Sequence, residues 1–121
     1  MTNEISRTRI GKRLSQSAQF GGIIFLAGQV ASNDVLTIEE QTSEILKKID
    51  DLLLENGSDK SRILSCQIFL ANMNDFEAMN TVWDDWVVAG HTPARATVSA
   101  ALGSPGKLIE MVVIAAQNRP L

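Results

Sequence analysis

Two charged residues occupy segments whose other positions are apolar or small: Arg95 within residues 94–100 and Glu110 within residues 108–116. Both segments read as strands, and a lone charge packed in a strand costs several kcal/mol unless it is paired or wet. By two-residue alternation Arg95 shares a face with Thr97 and Ser99, whereas Ala94, Ala96, Val98 and Ala100 point the other way. Small hydroxyl neighbours leave room for a carboxylate, which a guanidinium can grip through two parallel hydrogen bonds. Glu110 lies between Ile109 and Met111, with Leu108 and Val112 on its own face. A carboxylate there can position or activate a water. On neighbouring strands these opposite charges make either a structural or inter-subunit ion pair, or the walls of an Arg–Glu substrate site. The pattern alone leaves both open.

Other chemistries are set aside by composition. A single His and a single Cys exclude His-rich and Cys-rich metal centres, and no metal or cofactor is expected. Gly21-Gly22 lacks the spacing of a dinucleotide fingerprint, and no Walker-type phosphate loop occurs. A Ser-His-Asp triad would have to use His91, which reads instead as a polar loop residue capping a helix that ends at Gly90. Cys66 alternates with Leu64 and Ile68, as a small core residue does, and Trp83 and Trp86 have the spacing of helix packing residues. A net charge of −3 and a pI of 5.0 speak against a nucleic-acid partner and against an anionic lipid surface. The longest apolar run covers residues 23–27, far short of the ~20 residues that span a bilayer, so no membrane association is expected. The basic N-terminal segment lacks the apolar core of a signal peptide, and the lone cysteine fits a cytoplasmic location.

The elements that must position Arg95 and Glu110 follow from periodicity. At 121 residues, 45% hydrophobic and 21% charged, residues 1–121 read as one soluble domain. Residues 5–10 form a short strand with Arg7 and Arg9 on one face and Thr8 on the other. Residues 15–20 and 23–30 form a hairpin turning at Gly21-Gly22, the second strand being buried on both faces through residue 27 and interrupted at Gly28. Thr37-Ile38-Glu39-Glu40 is a capping box opening a helix with Ile45, Leu46, Ile49, Leu52 and Leu53 on one stripe and a stop at Asn56-Gly57. Residues 62–73 read as a strand with Leu64, Cys66, Ile68 and Leu70 facing one way. Asn74 and Glu77 offer a second capping box for a helix ending at Gly90. The order β-β-β-α-β-α-β-β makes a two-layer α+β sandwich, a mixed six-stranded sheet with two helices on one face. Two helices leave the other sheet face bare, which implies a homo-oligomer with sites at its seams.

Pro93-Ala94-Arg95-Ala96-Thr97-Val98, Leu108-Ile109-Glu110, Ala27-Gly28-Gln29-Val30 and Asn74-Asp75-Phe76 with Met79-Asn80 together resemble the signature of the RidA (YjgF-type) family over nearly the whole chain. Trp83-Asp84-Asp85-Trp86-Val87 and Arg13-Leu14-Ser15 look most like its YoaB-type branch. The resemblance implies a chorismate-mutase-like fold and a homotrimer with three inter-subunit clefts. It also implies cofactor-free hydrolysis of reactive enamines and imines, such as 2-aminoacrylate, to 2-oxo acids and ammonia. Carried over, Arg95 holds the substrate carboxylate, with Thr97 beside it where many members have cysteine; Glu110 positions the attacking water, and Asn80 matches a motif asparagine. Leu14 falls where active members carry tyrosine, and Ala27 where serine is common, so two polar groups of the expected cleft are missing; Arg13 offers another. The alternative is a trimer that binds small carboxylates such as 2-oxo acids without turning them over.

Overall fold

The computed structural model describes residues 4–118. The elements run β1 (Ser6–Ile10), β2 (Ser15–Phe20), β3 (Ile23–Leu26), β4 (Gln29–Val30), α1 (Ile38–Glu55), β5 (Ile63–Leu70), α2 (Phe76–Trp86), β6 (Ala94–Ser99) and β7 (Ile109–Ala116). The sheet order is β1-β2-β3-β7-β5-β6, with β4 also pairing β7. Only β5 and β6, joined through α2, are parallel; every other pair is antiparallel. The expected sandwich is present, but its sheet has seven strands. The third expected strand is broken at Ala27-Gly28, and both halves pair with β7.

Both local signals at the chain's start of order hold. Gly21 and Gly22 take φ of 61° and 82°, the left-handed conformation a two-residue hairpin turn needs. Thr37 and Glu40 close the capping box reciprocally, and the Thr37 backbone holds the Glu40 carboxyl below its ordinary range. Asn56 caps the far end of α1, its side chain donating to Leu52 O at 2.8 Å and accepting from Ser17 and Gln19 of β2 at 3.0 and 3.1 Å. Ile45, Ile49 and Leu53 from α1 and Met79 and Trp83 from α2 bury against Ile24, Cys66, Ile68, Met111 and Val113 of the sheet.

Several local expectations are corrected. A register shift between Ile63 and Ser65 turns Leu64 outward, leaving it 48% exposed. Arg9 adopts φ 48° and reaches α1 to pair with Glu55, so it does not share a face with Arg7. No side chain caps α2 at Asp75; Asn72 instead caps the preceding 3-10 turn, accepting from Asn74 N at 2.8 Å. That helix ends at Trp86, and His91 is an exposed loop residue that caps nothing. Nor is β3 buried on both faces: Ile24 and Leu26 are, but Phe25 is 50% exposed on the face without helices. Phe20 and Val98 are exposed on that same bare face, beside half-buried Val112 and Ile114.

The connection from β6 to β7 is tied to α1 by Gln41, which is fully buried. Its amide donates to Leu36 O and Gly106 O at 3.2 and 2.9 Å, and its oxygen accepts from Leu108 N at 3.0 Å. Gln41→Leu strands all three backbone groups and should cost about 3 kcal/mol in a urea titration. Cys66 provides a second test. Burial pushes its thiol from 9.0 up to about 12, with Arg95 pulling the other way. Above the ordinary value the unfolded chain loses a proton that the folded chain keeps. The thiol's contribution is therefore intact below pH 9.0 and is lost as pH rises toward 12. Cys66→Ala should flatten the alkaline fall in stability by at most about 1.4 kcal/mol per pH unit, read from unfolding curves at successive pH values.

Candidate functional site

Arg95 is placed by β6, an edge strand whose register sets Arg95 opposite Cys66, Thr97 opposite Ile68 and Ser99 opposite Leu70. Cys66, Ile68 and Leu70 face the helices, so Arg95, Thr97 and Ser99 do too. Phe76 and Trp83 of α2 lie seven residues apart on one helical stripe, with Asn80 between them. The Arg95 guanidinium carbon sits 5.8 Å from the Phe76 ring centroid and 5.1 Å from that of Trp83. These aromatic faces steady the cation. Among the described residues no carboxylate pairs with Arg95. Two polar atoms of the same region, Asn80 Oδ1 and Thr97 Oγ1, are buried without a hydrogen-bond partner. Such an atom costs about 1–3 kcal/mol when left unpaired. A cation without a counter-ion and orphaned polar atoms together have the character of a ligand site. Trp83 and Phe76 belong to it, which their packing spacing alone did not reveal.

Glu110 is placed by β7, opposite Phe69 of β5 and Val30 of β4. Its carboxylate lies directly over the Gly28 backbone: a methyl group built there would stand only 3.0 Å from Glu110 Cδ and closer still to Oε2. Gly28 is therefore required for this close approach. The neighbouring wall comes from the hairpin end. Ala27 N donates to Gln16 O at 2.9 Å, and Gly11 N to Leu14 O at 2.8 Å, so Leu14 and the Lys12-Arg13 tip follow on from the Gln16 that pairs with Ala27.

Arg95 and Glu110 do not meet within one chain. They are not on neighbouring strands, because β5 lies between β6 and β7. Their partners in β5, Cys66 and Phe69, are three residues apart, so the two charges are on opposite faces of the sheet. Their Cα atoms are separated by roughly 14 Å, from two strand spacings and three residue rises. An ion pair between them inside one chain is excluded. Thr97 and Asn80 stay with Arg95, on the helix face; Leu14 and Arg13 lie at the exposed end of the β1–β2 hairpin. Among the described residues no group of three or more His, Cys, Asp or Glu side chains could hold a metal ion, and no helix is long and apolar enough to cross a membrane.

Comparison with known proteins agrees on one family. The family model described as endoribonuclease L-PSP matches residues 5–117. A RutC family protein of Haemophilus ducreyi is 40% identical over 114 residues, covering 94% of this chain and 97% of that one. The RutC family protein YoaB of Escherichia coli is 53% identical over 77 residues, 64% of this chain and 68% of YoaB. Among solved structures, a Neisseria meningitidis member of the YjgF protein family superposes with a TM-score of 0.95 at 41% identity, covering 98% of both chains. The break at Gly28, the Arg95 strand and the Glu110 strand all fall inside the residues that the family model matches, and the chain belongs to the RidA (YjgF-type) family.

Proposed function

We propose that this chain assembles as a homotrimer whose inter-subunit clefts bind small 2-imino or enamino acids and hydrolyse them to 2-oxo acids and ammonia without a cofactor. The observation that carries this reading is the unpaired Arg95 guanidinium beside the orphaned Asn80 and Thr97 atoms. The face of Glu110 bears exposed Phe20, Phe25 and Val98, the kind of apolar surface that a second copy covers. Packing of that face around the edge strand of an adjacent copy would bring Glu110 of one chain toward Arg95 of another. A buried free thiol fits a reducing, cytoplasmic setting.

In such a cleft Arg95 takes the α-carboxylate, with the Thr97 hydroxyl donating to it. Asn80 Oδ1 accepts from the imine N–H. The imine carbon is already electrophilic, so orientation supplies much of the catalysis. Glu110 accepts a proton from the attacking water as the C–O bond forms and the C=N electron pair moves to nitrogen, and delivery of that proton to nitrogen gives the carbinolamine. The carbinolamine hydroxyl then gives up its proton to nitrogen through Glu110 as the C=O bond forms and the C–N bond breaks, leaving the 2-oxo acid and ammonia. A second reading, binding without turnover, is favoured by the surroundings of Glu110: Gly28, over which it lies, and the preceding Ala27 offer it no polar side chain.

Ammonia release from enzymatically generated 2-imino acids separates these readings. Wild type should exceed the uncatalysed rate, and Arg95→Ala and Glu110→Gln should each lower kcat/KM by about a hundredfold or more. Calorimetric binding of a 2-oxo acid that needs Arg95, without any turnover, would establish the binder instead. Co-refolding equal amounts of Arg95→Ala and Glu110→Gln chains should restore activity in about a quarter of the clefts, since each cleft draws the two residues from different copies. An inactive mixture beside an active wild type would rule out the two-copy site.

A further inference from the structure

Four cations of this acidic chain pair with carboxylates: Arg9 with Glu55, Lys47 with Asp51, Lys48 with Glu44 and Lys107 with Asp34. Lys12 and Arg13 are adjacent in sequence and, among the described residues, belong to the set without a carboxylate. Both are exposed. They form the tip of the β1–β2 hairpin, closed by the Gly11 N to Leu14 O bond at 2.8 Å. The strand leading from that tip is bonded to Ala27, next to the Gly28 backbone on which the Glu110 carboxylate rests. Two such cations therefore end the hairpin whose strand runs beside Ala27 and Gly28, the backbone that Glu110 contacts.

We propose that the cleft selects ligands bearing two acidic groups, 2-imino or 2-oxo dicarboxylates, with Arg95 of one copy on the α-carboxylate and the Lys12-Arg13 tip of the adjacent copy on the distal carboxylate. This rests on the two-copy cleft proposed above. Charge balance decides the class. Arg95, Lys12 and Arg13 set against Glu110 leave the empty cleft with two positive charges in excess. A monocarboxylate leaves one uncompensated; a dicarboxylate neutralises both. Guanidinium suits the distal group because it can bind a carboxylate bidentately. Leu14, 54% exposed beside the tip, presents an apolar surface to the methylenes that separate the two acid groups.

The test compares 2-oxoglutarate with 2-oxopentanoate, which share a five-carbon chain and differ in the distal carboxylate. Binding is measured by calorimetry at one fixed ionic strength for wild type, Lys12→Ala/Arg13→Ala and Arg95→Ala. Wild type should prefer the dicarboxylate by about tenfold or more, as a charge-assisted pair allows. In the hairpin double variant that ratio should collapse to near unity, chiefly through lost dicarboxylate affinity. Arg95→Ala should weaken both acids. No preference in wild type, or a preference that survives the double variant, overturns the inference while leaving the cleft reading intact if Arg95→Ala still abolishes 2-oxopentanoate binding. If neither acid binds, or Arg95→Ala binds as wild type does, the cleft reading falls and this inference with it.

Discussion

Strand β5 hydrogen-bonds to β6 in parallel and to β7 in antiparallel register, and its residues Cys66 and Phe69 face Arg95 and Glu110 respectively. An odd separation along a strand reverses the face, so these two pairings alone put the guanidinium under the helices and the carboxylate on the bare side. No side-chain rotation undoes this. Moving Glu110 to the other face would require β7 to slip by one residue, which would turn Ile109, Met111, Val113 and Ala115 out of the core. The stability of the hydrophobic layer thus enforces the separation of the two charges. A small ligand that touches both can do so only where one sheet meets another.

The two strands that carry the charges are also held in place from behind. Gln41, buried in α1, clasps the loop between them through Gly106 and Leu108, while Lys107 reaches Asp34 at 2.6 Å and Ala31 O at 2.5 Å. Lys107 and Ser104 together hold the Asp34 carboxyl below its ordinary range. Helix α2 contributes differently: it brings aromatic faces rather than hydrogen bonds, and the cation it steadies keeps its N–H groups available. One helix therefore fixes the loop and the other furnishes the pocket wall.

Much of this was legible in the chain, because the responsible forces are local. The Gly21-Gly22 turn, the Thr37–Glu40 capping box and the apolar stripe of α1 each depend on residues within a few positions of one another. The family motifs likewise marked Arg95, Thr97, Asn80 and Glu110. What escaped was non-local or depended on single-residue backbone geometry. Alternation cannot tell which strand inserts between two others, so the faces of Arg95 and Glu110 could not be related. The bulge that turns Leu64 outward and the left-handed Arg9 each reverse a side chain without any sequence mark such as Gly or Asn. Gln41 carries no local mark of its burial, since its partners lie up to 67 residues away.

The chain contains two tryptophans and no tyrosine, and only Trp83 lies over the Arg95 guanidinium. Trp86 is turned instead toward Asp50, to which its indole N–H donates at 3.1 Å, and toward Lys60. An anion arriving at Arg95 would change the field most strongly at Trp83, with Trp86 behind it at a ring-centroid distance of 5.6 Å. If a ligand does attach at Arg95, the intrinsic emission of the molecule would serve as an optical gauge of its arrival.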